Sequence, residues 1–233
     1  MPKMHIYQDN QAVAAAFAAY LEEQIRGAKY FHMALSGGST PKALFAHLAA
    51  AYADRIDWQK LHLYWGDERC VPPDDEQSNY RMTHEQLLQH VDIPTENIHR
   101  VRGEEEPAVE VQRYGHLIES RLPIVNGRPS FDLVILGMGA DGHTASIFPH
   151  EMELLTAADH CAVATHPDSG QRRISLTGEV IRAARQIHFL VTGTSKSPVV
   201  KEIFHQTGAY ESYPAYHIQK GEWWMDKGAS GEL

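Results

Sequence analysis

The chain has 233 residues, with 30 acidic against 21 basic side chains and a formal net charge of −9. That length suits one sizeable domain able to bury its own core, and the acidic balance argues against a general nucleic-acid or anionic-membrane surface. Cys70 and Cys161 form no metal or redox spacing, no apolar run is long enough to span a bilayer, and no apolar signal core opens the chain, so a soluble, cytoplasmic protein with reduced thiols is expected.

Met4 to Tyr7 reads as a short first strand. Asp9 or Asn10 then caps an alanine-rich amphipathic helix running to about Ala28. Tyr30 to Leu35 is a second strand and runs straight into Ser36-Gly37-Gly38-Ser39-Thr40-Pro41. A helix started by Pro41 continues to about Tyr52. Leu61 to Trp65 is a third strand, ending in Gly66-Asp67-Glu68-Arg69. Beyond Pro72 and Pro73, Asn79 caps a helix reaching about His90, Ile98 to Val101 forms a short strand, and Pro107 to Arg121 forms a helix. The segment 122–130, with Pro123, Asn126-Gly127 and Pro129, is a turn-rich connection.

The next run, Leu133 to Leu136 after Phe131-Asp132, is continuously apolar, as a buried parallel strand is. It ends in Gly137, Gly139 and Gly142, interleaved with Asp141 and followed by His143. Cys161 to Thr165, Arg172 to Leu176 and Gln186 to Val191 read as further strands, the last two joined by a short helix at 179–184. Ser195 to Gln206 is a helix, and Ala215 to Ile218 reads as a last edge strand. Strands alternating with helices give an α/β fold with a mostly parallel sheet.

Ligands of open α/β sheets bind outside the carboxyl ends of the strands, and chemistry-bearing residues gather at these ends here. Ser36, Gly37, Gly38, Ser39 and Thr40 aim small hydroxyls and amides at one point before a helix, which makes either an anion site or an ordinary turn with Thr40 as cap. It is not a Walker loop, because no G-x-x-x-x-G-K-[ST] is present. In Gly66-Asp67-Glu68-Arg69 the arginine can hold a phosphate and Asp67 can move or orient a proton; the alternative is a surface salt-bridge cluster. Asp141-Gly142-His143 pairs an imidazole general base with a carboxylate that can set its tautomer. Position alone raises His143 above the other histidines, 15 in all. Lys196 supplies a second cation from the loop after Val191, while Arg172 and Arg173 either line the same rim or stay solvated.

Residues 137–142 also spell G-x-G-x-x-G, the dinucleotide fingerprint. Pro149 cuts off the long helix that fingerprint requires, and no acidic residue closes the following strand, so no nicotinamide or flavin is expected. His84/His90 and His143/His150 lack the H-E-x-x-H spacing, so no zinc is expected either. Cys70 beside Arg69 is a candidate for a reactive, low-pKa thiol, without any partnering motif.

Together the motifs describe an enzyme acting on a small phosphorylated molecule, and in order they resemble one family. Ser-Gly-Gly-Ser-Thr-Pro (36–41), Gly-Asp-Glu-Arg with Val-Pro-Pro and Ser-Asn-Tyr-Arg (66–81), and Gly-Met-Gly-Ala-Asp-Gly-His-Thr-Ala-Ser-Ile-Phe-Pro (137–149) are similar to 6-phosphogluconolactonases. So are Arg-Arg-Ile-Ser-Leu-Thr (172–177) and Val-Thr-Gly-Thr-Ser-Lys (191–196). The resemblance implies a single Rossmann-like α/β domain over residues 1–233, with helices on both faces of the sheet. It implies hydrolysis of 6-phospho-D-glucono-1,5-lactone and no metal or nucleotide cofactor; the expected partner is the small phosphorylated sugar lactone, with no nucleic acid or membrane, in a monomer or small homo-oligomer. His143 falls on the acid/base position with Asp67 beside it; Ser36 to Thr40, Arg69 and Lys196 fall where the family binds phosphate. Cys70 departs from the pattern, which often has an aromatic residue there. The related glucosamine-6-phosphate deaminases carry a ring-opening glutamate where this chain has Phe148, which favours the lactonase. A sugar-phosphate sensor is the non-catalytic alternative, and it would need a DNA-binding segment that the sequence does not display.

Overall fold

A computed structural model describes residues 2–218, 220–231 and 233. In chain order its elements are β1 (Met4–Tyr7), α1 (Asn10–Arg26), β2 (Phe31–Leu35), α2 (Ser39–Ala51), β3 (Leu61–Trp65), β4 (Asp67–Arg69), α3 (Asn79–Gln86), β5 (Ile98–His99) and α4 (Pro107–Arg121). There follow β6 (Ile124–Val125), β7 (Arg128–Pro129), β8 (Leu133–Leu136), β9 (Cys161–Thr165), β10 (Arg172–Leu176), α5 (Gly178–Ala183), β11 (Gln186–Val191), α6 (Ser197–His205), β12 (Glu222–Asp226) and α7 (Lys227–Ser230).

The central sheet has the order β1-β12-β11-β8-β2-β3-β5, and every neighbouring pair in it is parallel. Its middle strand β8 is buried at every residue, which explains the unbroken apolar run in the sequence. From β2 the chain winds outward to β3 and β5, then returns through β8 and winds the other way to β11 and β12. Right-handed crossovers taken in opposite directions place helices on opposite faces. α1 and α2 share one face and pack on each other, and α4 packs on β9 and β10. α1 buries Val13, Phe17, Leu21 and Ile25, one residue per turn, and Asp9 caps it by accepting from the Ala12 amide at 2.9 Å. The strand order reverses between β2 and β8, so their carboxyl ends flank a topological switch point.

Several local expectations are corrected. Residues 215–218 are not a strand; Pro214–His217 form a 3₁₀ turn. The strand is β12, which the sequence reading missed, and it lies inside the sheet between β1 and β11. Its apolar run is only Trp223-Trp224-Met225 between two acidic residues, too short to announce itself. Ser78 rather than Asn79 caps α3, accepting from the Arg81 amide at 3.1 Å. That helix stops at Gln86 and a 3₁₀ turn, Leu88–His90, follows. β9 and β10 do not join the parallel sheet. They form a separate antiparallel sheet with β4, in the order β4-β10-β9. The turn-rich connection is a small hairpin, β6–β7, with Asn126 and Gly127 at φ 52° and 77° as a tight turn requires. Among the described residues no helix is long and apolar enough to cross a membrane.

Candidate active site

A cavity of about 210 Å³ opens at the switch point. Ser36, Gly37, Gly38, Ser39, Thr40, Asp67, Arg69, His143, Arg173 and Lys196, all singled out from sequence, line it together. Asp141 touches it through His143.

The loop after β2 forms one wall. Gly38 precedes the helix at φ 103°, a conformation suited to glycine, and α2 starts at Ser39, two residues before the proline. No side chain caps this helix, and its first-turn amides, at the cavity-lining Ser39 and Thr40, have no intrahelical acceptor. Thr40 is not a cap: its hydroxyl lies 2.7 Å from that of Thr192 and ties the loop to the end of β11. Gly37 has no room for a side chain, since a Cβ would sit 1.9 Å from Asn79 Oδ1. Asn79 is a cavity residue the sequence reading took for a helix cap. It is buried, and its Nδ2 donates to the Asp67 carbonyl at 3.0 Å.

Three cations form the second wall. Arg69 and Arg173 are directly opposite each other across β4 and β10, an arrangement that costs stability unless an anion comes between them. The Nε–H of each is buried without a partner, and Arg69 otherwise donates through Nη1 to the Gln77 carbonyl. Burial pushes the Arg173 guanidinium below its ordinary value, with Asp67 pulling the other way. Arg172, its neighbour, points outward and approaches Glu106 at 4.0 Å. Lys196 forms no ion pair among the described residues. Burial lowers its pKa, and the Asp141 carboxylate opposes that shift. Its loop is anchored by Asp226 at the end of β12, which accepts from the Gly193 amide at 3.0 Å.

The third wall is the loop after β8. Asp141 Oδ1 lies 2.6 Å from His143 Nδ1 and also accepts from the His143 amide at 3.2 Å. Burial raises the Asp141 pKa, but the hydrogen bonds and charge of His143 outweigh it and bring the carboxyl down to about 2. Gly139 makes room for the pair: a Cβ there would lie 2.2 Å from His143 Nδ1 and 2.3 Å from Asp141 Oδ1. The Gly139 amide already donates to the His143 carbonyl at 2.9 Å, so it closes the loop rather than facing a ligand. Only a 3₁₀ stretch, Pro149–Leu155, broken at Glu151, follows these glycines, not the long α-helix that the dinucleotide reading requires. Asp67 is buried and accepts from the Ser146 hydroxyl at 2.6 Å. The carboxylate bonded to His143 is therefore Asp141. Phe148 lies fully buried under the imidazole, ring centroids 4.8 Å apart, with the Arg173 guanidinium 5.5 Å from the same ring.

Two further residues are structural. Glu68, buried beside Asp67, accepts from the amides of Arg69, Asn79 and Tyr80 at 2.8 Å each and from the Ser78 hydroxyl at 3.0 Å, which fixes the start of α3. Burial pushes its pKa up against those bonds. Burial likewise pushes the Cys70 thiol up, despite nearby Arg172, which argues against a reactive thiolate. Among the described residues no group of three or more His, Cys, Asp or Glu side chains is placed to hold a metal ion.

Residues 8–225 match the family described as glucosamine-6-phosphate isomerases/6-phosphogluconolactonase. The chain belongs to this family. A 6-phosphogluconolactonase of Treponema pallidum is 46% identical over 94% of this chain and 90% of its own length. One from Haemophilus influenzae is 47% identical over 85% of each. A crystal structure of a protein called devB superposes with a TM-score of 0.95 at 41% identity, covering both chains completely. Family membership accounts for the site motifs appearing together and in order.

Proposed function

We propose that this chain hydrolyses 6-phospho-D-glucono-1,5-lactone to 6-phosphogluconate, the second step of the oxidative pentose phosphate pathway. The observation that carries the reading is the Asp141–His143 pair in one cavity with three cations and a bare helix N-terminus. A doubly charged phosphate answers the cations, and a neutral lactone ring is left beside the imidazole.

The phosphate sits between Arg69, Lys196 and the first amides of α2. Asp141 accepts from Nδ1–H of His143, so Nε2 carries the lone pair and takes a proton from water. The water oxygen bonds to C1 as the carbonyl π pair moves to oxygen, and the unpartnered Nε–H of Arg173 is a donor available to that oxyanion. When the carbonyl re-forms, the bond from C1 to the ring oxygen breaks and the imidazolium returns its proton to that oxygen. The open-chain acid ionises at neutral pH. Phe148 beneath His143 presents no carboxylate for sugar ring opening, which sets this chemistry apart from that of a deaminase.

One assay tests the reading. The lactone is generated from glucose 6-phosphate by its dehydrogenase, and its disappearance is followed with and without protein. Acceleration is expected, and His143→Asn should lower kcat on the order of 10²–10⁴-fold. Lactone decay at its spontaneous rate despite tight binding of sugar phosphate would instead identify a sensor.

A further inference from the structure

Gly142, between the paired Asp141 and His143, is held by a segment distant in sequence. It adopts φ 79°, and a Cβ at that position would lie 2.5–2.6 Å from Cδ1, Cγ and Cβ of Tyr213. The Tyr213 side chain is thus pressed flat on the backbone that joins the two members of the pair. Two residues on, the Ala215 amide donates to the Gly142 carbonyl at 3.1 Å. The Tyr213 hydroxyl donates to Glu202 Oε2 at 2.8 Å, and the same oxygen accepts from the Ala209 amide at 2.8 Å. Gly208, at φ 61°, leaves room for that carboxylate: a Cβ there would meet its Cδ at 2.5 Å. Glu202 lies on α6, the helix entered through Lys196. One helix therefore carries a cavity cation at its start and, farther along, the carboxylate that anchors the strap over the catalytic loop.

We propose that Tyr213, held by Glu202, is a positioning residue that fixes the Asp141–Gly142–His143 backbone and so the direction in which His143 faces the substrate. Neither side chain reaches the reacting atoms; each acts through Gly142. The kinetic part rests on the lactonase reading, whereas the geometric part does not. Free of the strap, a glycine can leave its left-handed conformation at little cost, and a small misplacement of a general base costs rate rather than binding.

The experiment compares Tyr213→Ala, Tyr213→Phe and Glu202→Gln with the wild type. Tyr213→Ala should lower kcat about ten- to a hundredfold, with KM and inhibition by inorganic phosphate little changed. Tyr213→Phe loses the hydrogen bond and Glu202→Gln loses the charge that strengthens it, each keeping the packing, so a drop of about fivefold is expected. The low-field proton resonance of His143 Nδ1–H, read by NMR without substrate, should broaden in the same order. That signal tests the brace even if the wild type proves inactive on the lactone. Should Tyr213→Ala fail to fold, the two conservative variants decide the matter by the same readouts. Wild-type kcat and an unchanged resonance in both conservative variants would overturn the proposal. So would a rise in KM and in the phosphate inhibition constant matching the fall in kcat, since that would mark general loosening of the fold.

Discussion

His143 Nδ1 and Asp141 Oδ1 lie 2.6 Å apart on one turn of chain, with a glycine between the two residues. The short bond leaves Nε2 as the nitrogen free to take a proton, and it keeps the carboxylate ionised down to about pH 2. Asp141→Asn should therefore lower kcat by ~10²–10³ through loss of the correct tautomer and orientation, with KM nearly unchanged. Since Asp141 stays charged down to about pH 2, its own protonation contributes no acid limb to kcat near neutral pH. Full activity of Asp141→Asn would shift the orienting role to Asp67 and its partner Ser146.

Arg69 and Lys196 reach the cavity from different sheets and have little else to hold. Each charge-assisted hydrogen bond contributes roughly 1.5–3 kcal/mol. Arg69→Ala and Lys196→Ala should thus raise KM about ten- to a hundredfold by that measure and weaken competition by inorganic phosphate in parallel. Removal of Arg69 should also relieve Arg173 of the like charge opposite it, so thermal stability need not fall with affinity. Unchanged KM and unchanged phosphate competition in both variants would show that the phosphate binds elsewhere.

A second group of imidazoles predicts acid sensitivity unrelated to catalysis. His32, His62 and His99 stack across β2, β3 and β5, with centroids 4.8 and 5.5 Å apart. Burial first, then the neighbouring imidazoles and Arg121, push His99 down to about 4. Burial first, helped by His5 and Lys3, does the same for His188, against the pull of Glu222. A folded pKa below the unfolded value of ~6.5 means that the unfolded chain binds protons first. Stability is thus full above that value and falls as pH drops toward 4. Between pH 7.5 and 5 each of these two histidines should remove about 2 kcal/mol, or about 4–8 °C of Tm in a chain this size. His99→Phe, which keeps a ring against Tyr64, should flatten the Tm–pH curve; an unaltered slope would rule the cluster out.

The parts of the fold legible in sequence were those where one element sufficed. β2, β3, β8 and β11 are buried parallel strands whose apolar runs are nearly unbroken, and glycine and hydroxyl residues mark their carboxyl ends. The resemblance then supplied roles that spacing left open. What stayed hidden depends on pairing between distant segments. The opposition of Arg69 and Arg173 arises from an antiparallel contact with a three-residue strand, too short for any periodicity. Asn79 looked like a helix cap because its contact with Gly37 exists only once α2 and α3 pack. β12 hid between its acidic ends, although Asp226 has a local use in capping α7 through the Ala229 amide at 2.7 Å.

The choice between lactone hydrolysis and amino-sugar deamination turns on Phe148. Its ring is fully buried against His143 and Arg173, so a carboxylate there would meet a buried cation and the His143 imidazole. Phe148→Glu should pair with Arg173, draw it from the cavity and perturb His143, lowering lactonase kcat. It should also destabilise the fold by about 3 kcal/mol or more, the usual cost of removing a buried aromatic ring. The variant should gain no useful deaminase activity, because Arg69 and the remaining cavity wall are unaltered. Phe148→Leu controls for packing: it should lose stability while keeping most of its kcat. The wild type should release no ammonia from glucosamine 6-phosphate in a coupled glutamate dehydrogenase assay. Release at a rate rivalling lactone hydrolysis would overturn the assignment, because the protein would then open an amino-sugar ring without a carboxylate at this position.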